Sequence, residues 1–115
     1  MNVKISFHNM PHSNALEEHA HEKLAKITHL FKEESSDHPL FFELFLNAET
    51  THAHHNVELH VKTEKLNLVT HTEHADMYIA TDQVIEKMVG LVRKKKNKQK
   101  DKEQKVINEK RAFVS

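Results

Sequence analysis

Residues 40–72 read LFFELFLNAETTHAHHNVELHVKTEKLNLVTHT, and this stretch decides the fold. Three segments in it (LFFELFLNA, NVELHVK and LNLVTHT) alternate apolar and polar residues with a period of two, which is typical of strands with one buried face. A polar loop, ETTHAHH, separates the first two segments, and a tight turn, TEK, separates the last two. Because strands joined by short links pair with their neighbours, the stretch predicts an antiparallel three-stranded meander.

A short strand and a helix precede the meander. Residues 2–8, NVKISFH, alternate in the same way, so we expect a fourth strand there. Ser13 favours a helix N-cap, because its hydroxyl accepts a hydrogen bond from an otherwise unpaired backbone N–H. Apolar residues then recur at steps of three and four and share one helical face: Leu16, Ala20, Leu24, Ile27 and Phe31.

A second helix follows the meander, with Asp76 as its predicted N-cap. The residues that keep helical spacing after it are Met77, Thr81, Val84, Met88 and Leu91. After Val92 no apolar residue occurs until Val106, so we expect the helix to leave the core near residue 93. The order β-α-β-β-β-α predicts an α+β two-layer sandwich, in which a four-stranded sheet carries two helices on one face.

The formal net charge of zero conceals an uneven distribution along the 115 residues. Residues 1–86 contain six Lys against 14 Asp or Glu, a balance of −8, whereas residues 87–115 contain 11 Lys or Arg against three acidic residues, a balance of +8. Such asymmetry predicts a basic arm that acts on an anionic partner.

The basic arm is densest at residues 93–105, RKKKNKQKDKEQK, which hold eight basic and two acidic residues. In a helix, like charges four residues apart repel each other, and no apolar residue in the arm compensates. Phosphates would compensate, through charge pairing and the release of counterions. Because aromatic residues are nearly absent, we expect the arm to recognise phosphates and shape and not bases. The arm also lacks the apolar face of a membrane-bound helix.

Motifs for catalysis and secretion are absent from the sequence. One Gly is too few for a phosphate-binding loop, no nucleophile elbow occurs, and without Cys there is no thiol chemistry. We therefore expect no enzyme activity, no cofactor and no small-molecule substrate. The N-terminus lacks the apolar core of a signal peptide, and no run of about 18 apolar residues occurs, which favours the cytoplasm and no membrane partner.

The 12 histidines raise the alternative of a metal-binding protein. HAHH at residues 52–55 offers two ligands, and His60 and His71 are candidate neighbours on the outer face of the sheet. A metal site needs ligands that converge, however, and no H-E-x-x-H pattern is present. We therefore predict no metal site and interpret the histidines as exposed polar residues, with metal binding as the weaker alternative.

Residues 74–100, HADMYIATDQVIEKMVGLVRKKKNKQK, resemble the signature of the ribosome hibernation-promoting factor family, which includes the ribosome-associated inhibitors. The resemblance extends to HEKLAKI in the first helix and VELHV in the third strand. Within the second helix it depends on Asp76-Met77-Tyr78, Ala80, Asp82, the apolar stripe of Ile85, Met88 and Leu91, and the Lys/Arg-rich end. It covers about residues 1–100 in the same element order. Ile79 and Thr81 depart from the residues usual around the motif.

This resemblance implies a domain similar in plan to double-stranded-RNA-binding domains. It also implies binding to the small ribosomal subunit, where 16S-type rRNA and nearby ribosomal proteins surround the mRNA and tRNA channel, with inhibition of translation in stationary phase or stress. Residues 1–100 would form the ribosome-binding domain, and residues 101–115 a partly disordered basic tail. The positions that match the family's rRNA-binding residues are Lys23, Lys26, Lys87, Arg93, Lys94, Lys95, Lys96, Lys98 and Lys100.

A general double-stranded-RNA-binding module is the main alternative to this interpretation. In such modules the basic cluster usually lies at the start of the last helix. Here that start, DMYIATD, is acidic, and the basic residues lie at the far end. The position of the charges therefore favours the ribosome-binding factor.

Overall fold

In a computed structural model of the chain, residues 2–31, 40–49, 54–64 and 66–114 are described, with side chains as far as residue 96. The elements follow the predicted order β-α-β-β-β-α. They are β1 (Asn2–His8), α1 (Asn14–Leu30), β2 (Phe41–Asn47), β3 (His55–Lys62), β4 (Asn67–His74) and α2 (Met77–Val114). The predicted loop at residues 32–39 and most of the ETTHAHH loop lie outside the described residues.

The four strands form one sheet in the order β1-β2-β3-β4. The pairs β2–β3 and β3–β4 are antiparallel, which confirms the predicted meander. β1 pairs with β2 in parallel, with Asn2 opposite Phe41 and His8 opposite Asn47. A parallel pair requires a long crossover between its strands, and α1 lies within that connection.

The core lies between one face of the sheet and the two helices. The predicted inward residues of the meander are buried: Phe42, Leu44, Leu46, Val57, Leu59, Val61 and Leu68. The apolar stripes of the helices are buried in the same cluster: Leu16, Ala20, Leu24, Ile27 and Phe31 of α1, and Ala80, Val84, Ile85, Met88 and Val92 of α2. Both helices therefore cover one face of the sheet, and the predicted α+β sandwich is confirmed.

Both predicted helix caps are present. The Ser13 hydroxyl accepts a hydrogen bond from the Leu16 N–H at 3.2 Å. Asp76 Oδ1 accepts from the backbone N–H groups of Tyr78 at 2.9 Å and Ile79 at 3.3 Å. Each cap satisfies N–H groups that the first helical turn leaves unpaired, which fixes the points at which α1 and α2 begin.

Two threonines of β4 attach α2 to the sheet. The Thr72 hydroxyl donates to the Ala80 carbonyl at 2.8 Å, and the Thr70 hydroxyl donates to the Val84 carbonyl at 3.0 Å. The two acceptors are four residues apart, so successive turns of α2 are held. The first half of α2 is therefore fixed by hydrogen bonds as well as by apolar contacts.

Beyond Val92 the helix has no buried residue in the described part of the chain, but its backbone continues to Val114. At 1.5 Å per residue this extension is roughly 33 Å long. Neither described helix combines the length and apolar character that a membrane crossing requires.

Candidate nucleic-acid interface

Three of the nine predicted rRNA-binding residues are adjacent, at the point where α2 leaves the core. Arg93 and Lys94 are exposed and Lys95 is half-buried, directly after the fully buried Val92. The helix places these side chains about 100° apart around its axis, so they fan out instead of forming one row. No hydrogen bond or ion pair to another described residue holds any of the three. They form the free cationic cluster of the domain (Arg93, Lys94 and Lys95).

Lys26 already has an anionic partner across the two helices. Its Nζ lies 2.8 Å from Glu86 Oε1, and both side chains are exposed. The hydrogen bond that Lys26 donates to Glu86, followed by the negative charges of Glu86 and Asp82, raises the pKa of Lys26 above its usual value. An anionic ligand must therefore compete with Glu86 for this lysine. Lys23, one turn earlier on α1, is half-buried and has no such partner among the described residues.

Lys96 is a residue of α2 whose side chain contacts the C-terminal end of α1. Its Nζ donates a hydrogen bond to the carbonyl of Leu30 and lies 4.7 Å from the centre of the Phe31 ring. A cation at this position satisfies a carbonyl that the last helical turn leaves unpaired, and it also interacts favourably with the helix dipole and the ring face. Lys96 thus connects the ends of the two helices.

Lys87 lies on the other flank of α2, towards β4. Its Nζ donates to the His71 carbonyl at 3.0 Å. The side chains of Lys98 and Lys100 lie outside the described residues. The predicted residues with described partners therefore lie apart from the free cationic cluster: Lys26 and Lys96 make contacts between α1 and α2, and Lys87 contacts β4.

The line along which α1 packs against α2 (the α1–α2 seam) contains contacts that the sequence interpretation missed. His19 Nε2 lies 2.7 Å from Asp82 Oδ1, and the His19 ring meets the Tyr78 ring edge-on with centroids 5.0 Å apart. Tyr78, Asp82 and Glu86 are spaced by four residues, so they form one stripe that faces α1. That spacing is the signal in the sequence that could have revealed the seam. Tyr78 itself is 41% exposed.

The face of the sheet opposite the helices is open. Near its centre, Phe45 lies between two histidine rings, with centroid separations of 6.3 Å to His8 and 5.3 Å to His60. His60 and His71 are diagonal neighbours, because His60 pairs with Val69 and His71 with Glu58. Among the described residues, no group of three or more His, Cys, Asp or Glu is arranged to hold a metal ion.

The fold and the free cations define a class of protein: a two-layer α+β domain whose last helix carries a cationic extension past the core. The chain belongs to the family described as Sigma 54 modulation protein / S30EA ribosomal protein, whose model matches residues 3–100. This confirms the family indicated by the Asp76-Met77-Tyr78 motif and places the chain among factors of ribosome hibernation and translation regulation.

Solved structures with the same fold carry related names. The N-terminal domain of Protein Y from Thermus thermophilus has a TM-score of 0.68 at 21% identity, covering 82% of this chain and 98% of that one. A ribosomal subunit interface protein from Coxiella burnetii has a TM-score of 0.71, also at 21% identity, covering 84% of this chain and 99% of that one. Among curated proteins, none matches the sequence significantly.

Proposed function

We propose that this protein is a hibernation factor of the cytoplasm that binds the small ribosomal subunit through rRNA. Bound there, it occludes the channel for mRNA and tRNA and so inhibits translation in stationary phase or stress. Its family and the name of the Coxiella burnetii structure support a ribosomal partner. The protein acts by occupying a site and not by catalysis.

The single observation that carries this proposal is the free cationic cluster at the exit of α2. Arg93, Lys94 and Lys95 place three positive charges within one turn of α2, and no described acidic group compensates them. A polyanion supplies the missing charge, and the release of its counterions makes the contact favourable. Double-helical rRNA presents phosphates on both sides of a groove, which suits side chains that fan out around a projecting helix.

The position of the cluster supports occlusion of a channel. Val92 is the last buried residue among the described side chains, and α2 continues for roughly 33 Å beyond it at 1.5 Å per residue. A narrow helix of that length enters a space that the two-layer domain itself is too wide to enter. The bulk of the domain then remains at the entrance, where it excludes other ligands.

Sedimentation of a stationary-phase lysate tests the partner. We expect the protein to sediment with small subunits and whole ribosomes in a sucrose gradient. Recovery only at the top of the gradient would reject the proposal. Occlusion is tested separately with purified small subunits: prebound mRNA and initiator tRNA should reduce binding of the protein, and equal binding to empty and occupied subunits would contradict it.

A further inference from the structure

The open face of the sheet has chemistry different from that of α2. Sixteen side chains point outward from its four strands, and the charged ones are Lys4, Lys62, Glu43, Glu58 and Glu73, a formal balance of −1. The remaining residues are mainly asparagine, histidine and phenylalanine. A surface of this composition does not attract a phosphate backbone, but it offers rings and hydrogen-bonding groups to a neutral ligand.

A depression of about 380 Å³ lies on this face. It is lined by His8, Phe45, Asn47, Asn56, Val57, Glu58 and His71. The rings of His8 and Phe45 are nearly parallel, with an interplanar angle of 22° and centroids 6.3 Å apart. A planar ring between them needs about 7 Å, twice the contact distance between carbon atoms. Because His8 is exposed, we expect a small rotation of its side chain to open that space.

Two groups at the rim of the depression keep hydrogen-bonding capacity. Asn47 Oδ1 accepts from the Asn9 amide at 3.0 Å, which leaves the Asn47 NH₂ group as a donor. Glu58 Oε2 lies 3.4 Å from His60 Nε2, which leaves the other carboxylate oxygen as an acceptor. One donor and one acceptor beside an aromatic ring match the edge and the face of a nucleobase.

We propose that this depression binds an unpaired nucleobase of an RNA strand, stacked on Phe45, with its phosphates directed away from the sheet. Glu58 accepts hydrogen bonds from an exocyclic amino group, so the site favours cytosine over uracil, which has a carbonyl at the same position. The site lies opposite the helices and does not depend on the ribosome-binding proposal.

An NMR titration with cytidine and uridine tests the site. Neither nucleoside carries a phosphate, so binding to the cations of α2 does not contribute. Cytidine should shift the backbone resonances of Phe45, Glu58 and His71 in a saturable manner, and uridine should bind several-fold more weakly. Shifts elsewhere on the protein, or no saturable shift at these residues, would overturn the proposal.

Phe45→Leu removes the aromatic face but keeps an apolar side chain, so the sheet should remain folded. We expect affinity for cytidine to fall about tenfold, within the range measured for base stacking on aromatic residues. Phe41→Leu is the matched control, because Phe41 is exposed on the same face but does not line the depression. Glu58→Gln should reduce the preference for cytidine over uridine while leaving uridine binding nearly unchanged. Equal affinities for wild type and Phe45→Leu would contradict the stacking.

A pair of RNA strands of equal charge tests whether a strand supplies the base. Single-stranded hexacytidylate and an abasic hexamer carry the same phosphates, so α2 contributes equally to both. Wild type should prefer the hexacytidylate about tenfold, and Phe45→Leu should lose that preference. A preference that persists in Phe45→Leu, or no preference in wild type, would show that the base is not recognised here.

Discussion

The two faces of this domain bear opposite kinds of chemistry. On the helix side, the free cations follow one another in the sequence, directly after Val92, the last buried residue among the described side chains. On the open sheet face, rings and amides come from separate strands and surround a depression, but the net charge is nearly zero. Together, the two proposals predict two separable contributions to RNA binding, one sensitive to salt and one sensitive to the presence of bases.

The largest expected effect comes from removing the free cationic cluster. Changing Arg93, Lys94 and Lys95 to Ala should weaken binding to small subunits on the order of a hundredfold at about 0.1 M salt. The plot of the logarithm of the binding constant against the logarithm of the salt concentration should become less steep by about three, close to one for each lost phosphate contact. Binding is measured across a salt series. The control is Lys4 and Lys62 changed to Ala on the open face, which should leave the slope unchanged. An unaltered slope in the triple variant would show that these three cations do not contact phosphates.

A second prediction separates the cations of α2 from one another. Because Lys96 caps α1 and lies over Phe31, Lys96→Ala should lower the free energy of unfolding by about 1 kcal/mol. Lys94→Ala should change it by less than about 0.5 kcal/mol, because Lys94 is exposed and pairs with no other described residue. Urea denaturation of both variants gives the two values. Equal stabilities would mean that Lys96 is another free cation.

Acidification tests whether the histidines of the protein contribute to RNA binding. The sequence contains 12 of them, and histidine ordinarily gains its proton near pH 6.5, so the protein as a whole becomes more positive as the pH falls. We expect RNA to bind several-fold more tightly at pH 6 than at pH 7.5 at matched salt. The ratio of the affinities at pH 6 and pH 7.5 should stay the same when Arg93, Lys94 and Lys95 are changed to Ala. It should decrease when His8 and His71 are both replaced by Gln. Equal affinity of the wild type at both pH values would show that the histidines do not contribute to RNA binding.

The smallest effect concerns Lys26, which is held by Glu86 at 2.8 Å. Glu86→Gln removes the charge that raises the pKa of Lys26 and frees the lysine for phosphate. We expect RNA binding to tighten about two- to threefold, with the stability of the fold nearly unchanged, because exposed ion pairs contribute little to it. Glu18→Gln, the control, makes the same change in net charge at an exposed residue of α1. If both variants tighten binding equally, only net charge matters.

The sequence was informative wherever the deciding residues are close together. The alternation in β1 to β4 predicted which face is buried, and the caps Ser13 and Asp76 predicted where the helices begin. The parallel pairing of β1 with β2 was not predicted, because alternation identifies a buried face but not a partner strand. The apolar gap after Val92 correctly indicated where α2 leaves the core.

The candidate site was less visible, because its residues depend on distant neighbours. Lys26 meets Glu86, and Lys96 meets Leu30, across separations of 60 and 66 residues. A run of lysines does not reveal which members already have partners within the fold. The depression on the open face was missed for the same reason, since it forms only when the strand register brings Phe45 beside His8 and Glu58.

The parallel pairing of β1 with β2 also has a consequence for the order of folding. Every residue of β1 pairs with one 39 positions away, whereas β3 and β4 meet across a short turn, with Lys62 opposite Asn67. Because closing a long loop is entropically less favourable than closing a short one, the meander and the first half of α2 should assemble first. On a ribosome making this chain, β1 and α1 emerge early but must wait for β2 before they acquire their final neighbours.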